Sequence, residues 1–290
     1  MKLIVLSSKD YGDKEKNYGD CIIIDTGFKA IVYDCGSEEH AREVIKYLKN
    51  NQYEKADIIL SHNDNDHFAG LKFLIDNNRV DSITTILLLK HIDDILDEIN
   101  DNRRTRESIK KQIADYFDNI HSLSGNNLND SLDENWVLDS CLNFVGPSYD
   151  YLLEAVSKAL KNTESDNIDM ETIINAISVQ VELIVGNHKV LLTGDASYPA
   201  IEGKIREYDA IQLPHHGKYD QAKKIFDEND GREDVIYIIS DNTGNSNGGS
   251  DELMDDCIGK KVKNTKNGEI IIDNSSFTNS KIGSYGKWDI

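Results

Sequence analysis

The sequence predicts an α/β fold in which two sheet halves pack face to face with helices outside. Three observations lead there. Short runs rich in Ile and Val fall into two batches, one on each side of a charged helical stretch. Several of these runs are apolar almost throughout, the pattern of strands buried on both faces. Helical spacing recurs between them. A chain of 290 residues, 39% of them hydrophobic, has enough apolar surface for a packed core. We expect one unit spanning residues 1–290, with a helical insert at about 91–141.

The elements follow in order. Runs 2–6, 21–25 and 30–33 are Ile- and Val-rich, and Thr26-Gly27 between the last two is a hairpin signal. Ala41, Val44, Ile45 and Leu48 give 38–49 a helical period, and 56–60 is a nearly continuous apolar run that stops at Ser61. A helix is expected over 71–75 and a β-rich run over 82–89. Residues 91–122 contain neither Pro nor Gly and carry Ile92, Ile95 and Ile99, then Ile109, Ile113 and Phe117, at helical spacing. That segment is either a lid over the cleft or an ordinary packing pair of helices, and 124–130 reads as a loop. Beyond it, 151–161 reads as a helix, 178–185 and 189–193 as a hairpin around Gly186-Asn187, and 210–213 and 235–240 as buried strands.

With 32 basic and 52 acidic residues, the formal charge is -20, which repels polyanions at long range. Non-specific nucleic-acid binding is therefore not expected as the main role, although cations in a cleft can invert the local potential. No apolar run approaches the roughly 20 residues that span a bilayer. The opening residues do not read as a signal peptide, so Cys21, Cys35, Cys141 and Cys257 are expected as reduced thiols in the cytoplasm.

Chemistry concentrates in SHNDNDH. His62, Asp64, Asp66 and His67 follow a buried strand directly, and imidazole with carboxylate suits zinc, manganese or iron. An extended turn would put His62 and Asp64 on one side, with Asp66 and His67 entering the next helix, an arrangement able to feed two adjacent metal positions. Phe68-Ala69-Gly70 lets backbone pass close beneath. Two later strand ends add Asp195, in KVLLTGD, and the pair His215-His216, in IQLPHHG. Adjacent histidines point in different directions, so one is expected to bind metal while the other meets substrate or a partner behind the ligands. His40, His91, His121 and His188 lack acidic clustering and read as surface residues; Cys35 reads as a small core residue.

These residues resemble the metallo-β-lactamase superfamily. His62-Asn63-Asp64-Asn65-Asp66-His67 is similar to its HxHxDH signature in the variant HxDxDH; Asp34 matches its early structural aspartate, Asp195 the bridging aspartate, and His215-His216 the terminal histidine motif. Within that superfamily, the hydrolase domain of the ComEC competence proteins is the nearest likeness. Tyr18-Gly19-Asp20-Cys21 with Ile22, Ile23 and Ile24 resembles its GQGDAILI opening, and Val32-Tyr33-Asp34-Cys35-Gly36, Leu192-Thr193-Gly194-Asp195, Pro214-His215-His216-Gly217 and the closing Asn267-Gly268-Glu269-Ile270-Ile271-Ile272 add to it. The resemblance implies a four-layered αβ/βα sandwich with a metal site at its open edge and, for the ComEC domain, a role in cutting DNA. Asp64 stands where most of the superfamily has a second histidine; the middle histidine has no match before Asp195; and the loop 241–250 lacks the subgroup's later histidine. One tight cation centred on Asp66, His67, Asp195 and one of His215-His216 is expected, with full two-metal occupancy open.

The expected function is metal-dependent hydrolysis, by a phosphodiesterase or nuclease using one or two divalent ions, zinc or manganese. Asp64 would bind metal or orient the water, Asp66 would hold the cation, and the free member of the His215-His216 pair would donate to a nucleotide or nucleic-acid phosphodiester; Lys218 is available to an anionic group. Two alternatives stay open. One is an acyl-ester, lactone or thioester hydrolase of the same fold. The other is a catalytically degenerate interaction module whose acidic surface and helical insert dock a protein partner.

Overall fold

The computed structural model describes residues 1–99, 105–116, 123, 127–161, 167–168, 171–244 and 249–278. The strands are β1 (Lys2–Val5), β2 (Ile22–Asp25), β3 (Ala30–Tyr33), β4 (Ala56–Ile59), β5 (Val80–Thr85), β6 (Leu128–Asp130), β7 (Leu142–Gly146), β8 (Asn167–Ile168), β9 (Glu171–Thr172), β10 (Gln180–Val185), β11 (His188–Leu192), β12 (Ala210–Gln212), β13 (Ile236–Ile239), β14 (Lys261–Asn264) and β15 (Ile270–Ile272). One sheet runs β15-β1-β2-β3-β4-β5-β6 and the other β14-β13-β12-β11-β10-β7. The pair β8-β9 forms a separate antiparallel ribbon.

Alternation at period two explains why the sheets stack. Val5, Ile22, Ile24, Ile31, Tyr33 and Ile59 share one core with Val181, Leu183, Val190, Leu192, Ile236 and Ile238 of the other sheet. The residues between them face outward. Ile23, Val32 and Ile58 pack against Ala41, Val44 and Leu48 of α1 (Glu38–Asn50), with Leu71 and Leu74 of the short helix over 71–76. On the opposite face Leu191, Ile211 and Tyr237 meet Ala222, Ile225 and Phe226 of a helix over Tyr219–Glu228. The layers are therefore helix, sheet, sheet, helix. Burying a Leu- or Ile-sized side chain in this way contributes about 1.5–3 kcal/mol.

Strands β3, β4, β5 and β6 run parallel, as do β11, β12, β13 and β14. In open parallel sheets the crevice for ligands lies beyond the carboxyl ends of the strands. Asp34, Ser61, Asp195 and the His215-His216 pair all follow such ends. The sheets are stitched together there: Tyr33 Oη donates to the Val179 carbonyl at 2.7 Å, and Val179 N donates to the Ser61 carbonyl at 2.9 Å.

Several expectations are corrected. The run 82–89 does not continue as a strand, because β5 ends at Thr85 and Leu88–His91 is a 3-10 turn. Asp130 Oδ1 accepts from Leu87 N, which takes the chain off the ladder. Leu128–Asp130, read as loop, is instead the edge strand β6, whose ladder to β5 satisfies the backbone of a polar stretch. Residues 124–126 lie outside the described residues. The charged stretch forms helices over Ile92–Ile99 and Arg106–Tyr116, and Ile92, Ile95, Ile99, Ile109 and Ile113 enter the main core. Phe117 and His121 lie outside the described residues. Among the described residues no helix is long and apolar enough to cross a membrane.

Candidate metal centre

Backbone geometry brings the loops together. Asp34 takes a left-handed φ of 58° directly after β3, so its carboxylate turns toward the end of β4. Its Oδ1 accepts from Ser61 N at 2.7 Å, and its Oδ2 accepts from Ser61 Oγ at 2.7 Å and His67 Nδ1 at 2.8 Å. His67 lies in the single helical turn Asn65–Phe68 that follows Asp64. Gly70 then passes so close that a Cβ there would sit 2.2 Å from the Ser37 carbonyl, as the small residues after His67 imply. Gly194 has φ +54° and would, with a Cβ, press on Ser61 Cβ at 2.8 Å, so glycine sets how near Asp195 comes to this turn.

Four imidazoles converge, and each uses Nδ1 in a bond directed away from the centre. His67 gives its Nδ1 hydrogen to Asp34. His216 Nδ1 lies 3.0 Å from both Asp20 Oδ1 and the Ser240 carbonyl, which only accept. His215 Nδ1 lies 2.8 Å from Glu171 Oε2. The Ser61 hydroxyl spends its one hydrogen on Asp34, so His62 Nδ1, 2.9 Å away, donates to it. Every Nε2 is thereby left to the interior. Outer bonds of this kind fix the tautomer and orientation of histidines that hold metals.

The inward atoms are short of partners. His62 Nε2, His67 Nε2 and Asp195 Oδ1 are buried without a hydrogen bond. His67 Nε2 and Asp195 Oδ1 are 3.3 Å apart, and His216 Nε2 is 3.0 Å from Asp66 Oδ2. Ligand atoms about 2.1 Å from one tetrahedral cation lie about 3.4 Å from each other. Asp20, His67, Asp195 and His216 offer donor atoms all within 4.8 Å. Asp20 already accepts from His216 through Oδ1 and from Gln212 Nε2 at 2.8 Å through Oδ2, so it serves as the support of His216 and leaves Asp66 as the inward carboxylate.

Electrostatics agree. Burial opposes charge on His67, but the Asp195 and Asp34 carboxylates prevail and hold its pKa well above the usual histidine range. His216 is raised in the same way, against burial, by Asp20 and Asp195. Burial would raise Asp195, yet His67, His216 and His215 keep it well below the usual carboxylate range. Burial, with His67 beside it, pushes His62 down to about 3. The carboxylates thus draw positive charge into a buried place. A divalent cation suits this donor set.

The structure brings His62, Asp64, Asp66, His67, Asp195, His215 and His216 to one crevice. Asp64 is its most open member, with 42% of its side chain exposed. Asn17, which donates to Asp66 Oδ2 at 3.0 Å, was not singled out from sequence, nor were Asp20 and Glu171 as supports. Asp20 stands in the Tyr18-Gly19-Asp20-Cys21 motif, which was the available signal; Asn17 and Glu171 carry none. Lys218 is bonded to Glu171 Oε1 at 2.9 Å. His40, expected at the surface, is fully buried against Tyr11 and Tyr18. It lies on the apolar face of α1, one residue before Ala41, and that packing overrides its polarity.

Residues 16–111 match the family model described as the Metallo-beta-lactamase superfamily. No curated protein sequence matches the chain. Among solved structures, the chain is similar to the metallo-beta-lactamase fold protein YhfI from Bacillus subtilis, at 12% identity over 73% of this chain and 70% of that one, with a TM-score of 0.38. It is similar to Igni18, a metallo hydrolase from Ignicoccus hospitalis, at 11% identity over 94% of this chain and 99% of that one, with a TM-score of 0.46. Human tRNase Z, short form, aligns at 12% identity over 77% of this chain and 82% of that one, with a TM-score of 0.38. The fold is a four-layered αβ/βα sandwich, and residues 16–111 are similar to the Metallo-beta-lactamase superfamily.

Proposed function

We propose that the protein is a metal-dependent phosphodiesterase whose cation is held by Asp66, His67, Asp195 and His216. The observation that carries this reading is the convergence of Nε2 atoms on Asp195 and Asp66, with His67 Nε2 and Asp195 Oδ1 buried and unbonded. Left without a cation, such groups would cost free energy, because polar atoms in the interior need partners. That cost counts against a metal-free interaction module.

A divalent cation supplies acidification of a bound water to a pKa of roughly 7 and polarisation of the electrophile. The chain supplies the rest. Asp34 and Ser61 hold His67 and His62 in fixed orientation, Asp20 and Ser240 hold His216, and the core sheets behind them exclude bulk water. Asp64, open at the mouth, orients the attacking water by accepting its hydrogen bond.

Phosphodiester chemistry is favoured by Asp64 in the HxDxDH pattern, the variant shared with the ComEC-like hydrolase domain. The charge of -20 favours a small nucleotide, or a nucleic acid delivered by a partner protein, over unaided capture of long DNA. Turnover of bis(p-nitrophenyl) phosphate with manganese or zinc, set beside p-nitrophenyl acetate and a lactone, tests the reading. We expect diester hydrolysis that a chelator abolishes and that Asp66→Ala reduces by about 100-fold or more. Hydrolysis of the acyl substrates alone would sink the phosphodiester assignment.

A further inference from the structure

One inward atom has no part in holding the cation proposed above. His62 is 3% exposed, and its Nε2 is buried with no hydrogen-bond partner. Among the described residues, the donor atoms that gather within 4.8 Å of one another come from Asp20, His67, Asp195 and His216, and His62 stands outside that group. A buried polar atom of this kind calls for a partner.

The ring is fixed from behind. Two hydroxyl oxygens face Nδ1, Ser61 Oγ at 2.9 Å and Ser178 Oγ at 3.2 Å. The Ser61 hydrogen goes to Asp34, so Nδ1 donates. Ser178 Oγ also accepts from Asp195 N at 3.3 Å, which ties His62 and the Asp195 backbone to one side chain. Burial keeps the ring neutral. A neutral imidazole that donates through Nδ1 only accepts at Nε2.

Asp64 Oδ2 and Asp195 Oδ2 each lie 3.9 Å from His62 Nε2, too far for a hydrogen bond, and all three atoms are acceptors with no donor among them. Two acceptors about 2.8 Å from one water oxygen lie about 4–4.5 Å apart when each takes one of its hydrogens. Asp64, with 42% of its side chain exposed, opens this gap to the mouth of the crevice, while Asp195 Oδ1 faces His67 on the side of the cation. Resting on the metal-centre reading above, we propose that His62 is a catalytic residue without being a ligand: its Nε2 accepts one hydrogen of the attacking water while Asp64 Oδ2 accepts the other. Held by both hydrogens, the water presents its oxygen lone pairs to the cation and the electrophile. His62, expected from its place in SHNDNDH to bind metal, on this reading sets the nucleophile.

Metal-stripped full-length protein tests this as wild type, as His62→Phe, which keeps a flat ring without the acceptor, and as His62→Gln, whose amide oxygen can stand in for Nε2. Nitrogen-15 NMR of the metal-free wild type should show His62 protonated at Nδ1 alone. Manganese should bind all three proteins with equal affinity by calorimetry, and nitrogen couplings in the electron spin echo of the bound ion should come from His67 and His216. With bis(p-nitrophenyl) phosphate, kcat should fall about 100-fold at unchanged KM in His62→Phe and recover about tenfold in His62→Gln. Unchanged manganese affinity shows that a variant is folded at the centre. The tautomer and the nitrogen couplings are read on the wild type and do not depend on either variant folding. Manganese binding weakened by about 100-fold or more in both variants, or a coupling that His62 substitution removes, makes His62 a ligand and overturns the proposal. Full turnover by His62→Phe, or a His62 protonated at Nε2 in the metal-free protein, overturns it as well. No bound manganese, or no diester turnover, in the wild type overturns the underlying reading instead.

Discussion

At the scale of single residues, the centre is governed by what stands behind each imidazole. Asp34, Asp20, Ser61 and Glu171 are buried groups whose main contact is a histidine nitrogen or another support. One buried histidine has no such support. Both ring nitrogens of His40 lack side-chain or backbone partners of good geometry, and burial pushes its pKa down to about 4. An unfolded histidine titrates near 6.5, so the unfolded chain takes up a proton that the folded chain refuses as pH falls from about 6.5 to about 4. Stability from this group is fully present above about 6.5 and is lost toward pH 4, a loss of about 3 kcal/mol. Urea unfolding at pH 7 and pH 4 should show His40→Leu losing about 3 kcal/mol less than the wild type between these values. An identical pH dependence in the two proteins would contradict this. The sequence displayed the inward residues because they cluster in SHNDNDH and PHHG. It hid their supports, because Glu171 lies 44 residues before His215 and Asp20 lies 196 before His216, and no local pattern joins such pairs.

At the scale of elements, the strand-to-loop transitions were legible where period or composition was strong. The apolar runs became β3, β4, β10, β11, β12 and β13, and Thr26-Gly27 and Gly186-Asn187 mark real turns. The edge strand β6 was not legible, since Leu128-Asn129-Asp130, two of them polar, gain their strand character only from β5 beside them. The loop leading to Asp20 makes its own prediction. Gly19 has φ +67°, and a Cβ there would fall 1.7 Å from the Asp66 carbonyl oxygen, the atom that accepts from Asp20 N at 2.8 Å. Because the clash is with backbone, no rotamer relieves it. Gly19→Ala should lower stability by about 2 kcal/mol or more and displace Asp66, weakening manganese binding. A urea midpoint and a metal titration equal to wild type would contradict the close approach.

For the whole molecule, two sheets bring carboxyl-terminal strand ends from distant parts of the chain to one edge, inside a surface of net charge -20. The acidic field and the cation site act in opposite directions on an anionic substrate, and salt separates them. Between about 20 mM and about 200 mM salt the screening length falls from about 20 Å to about 7 Å. Under the proposed diesterase function, long single-stranded DNA should therefore be cut several-fold faster at the higher salt, while a small diester with one charge changes little. A steep fall with salt, as shown by proteins that gather DNA on basic surfaces, would contradict this account.

The most direct test of the metal centre is an anomalous difference map from a crystal soaked in manganese. The predicted result is a peak between His67 Nε2 and Asp195 Oδ1, within about 2.0–2.4 Å of those atoms and of Asp66 and His216. A fully soaked crystal with no peak there, or with manganese only at surface carboxylates, would contradict it.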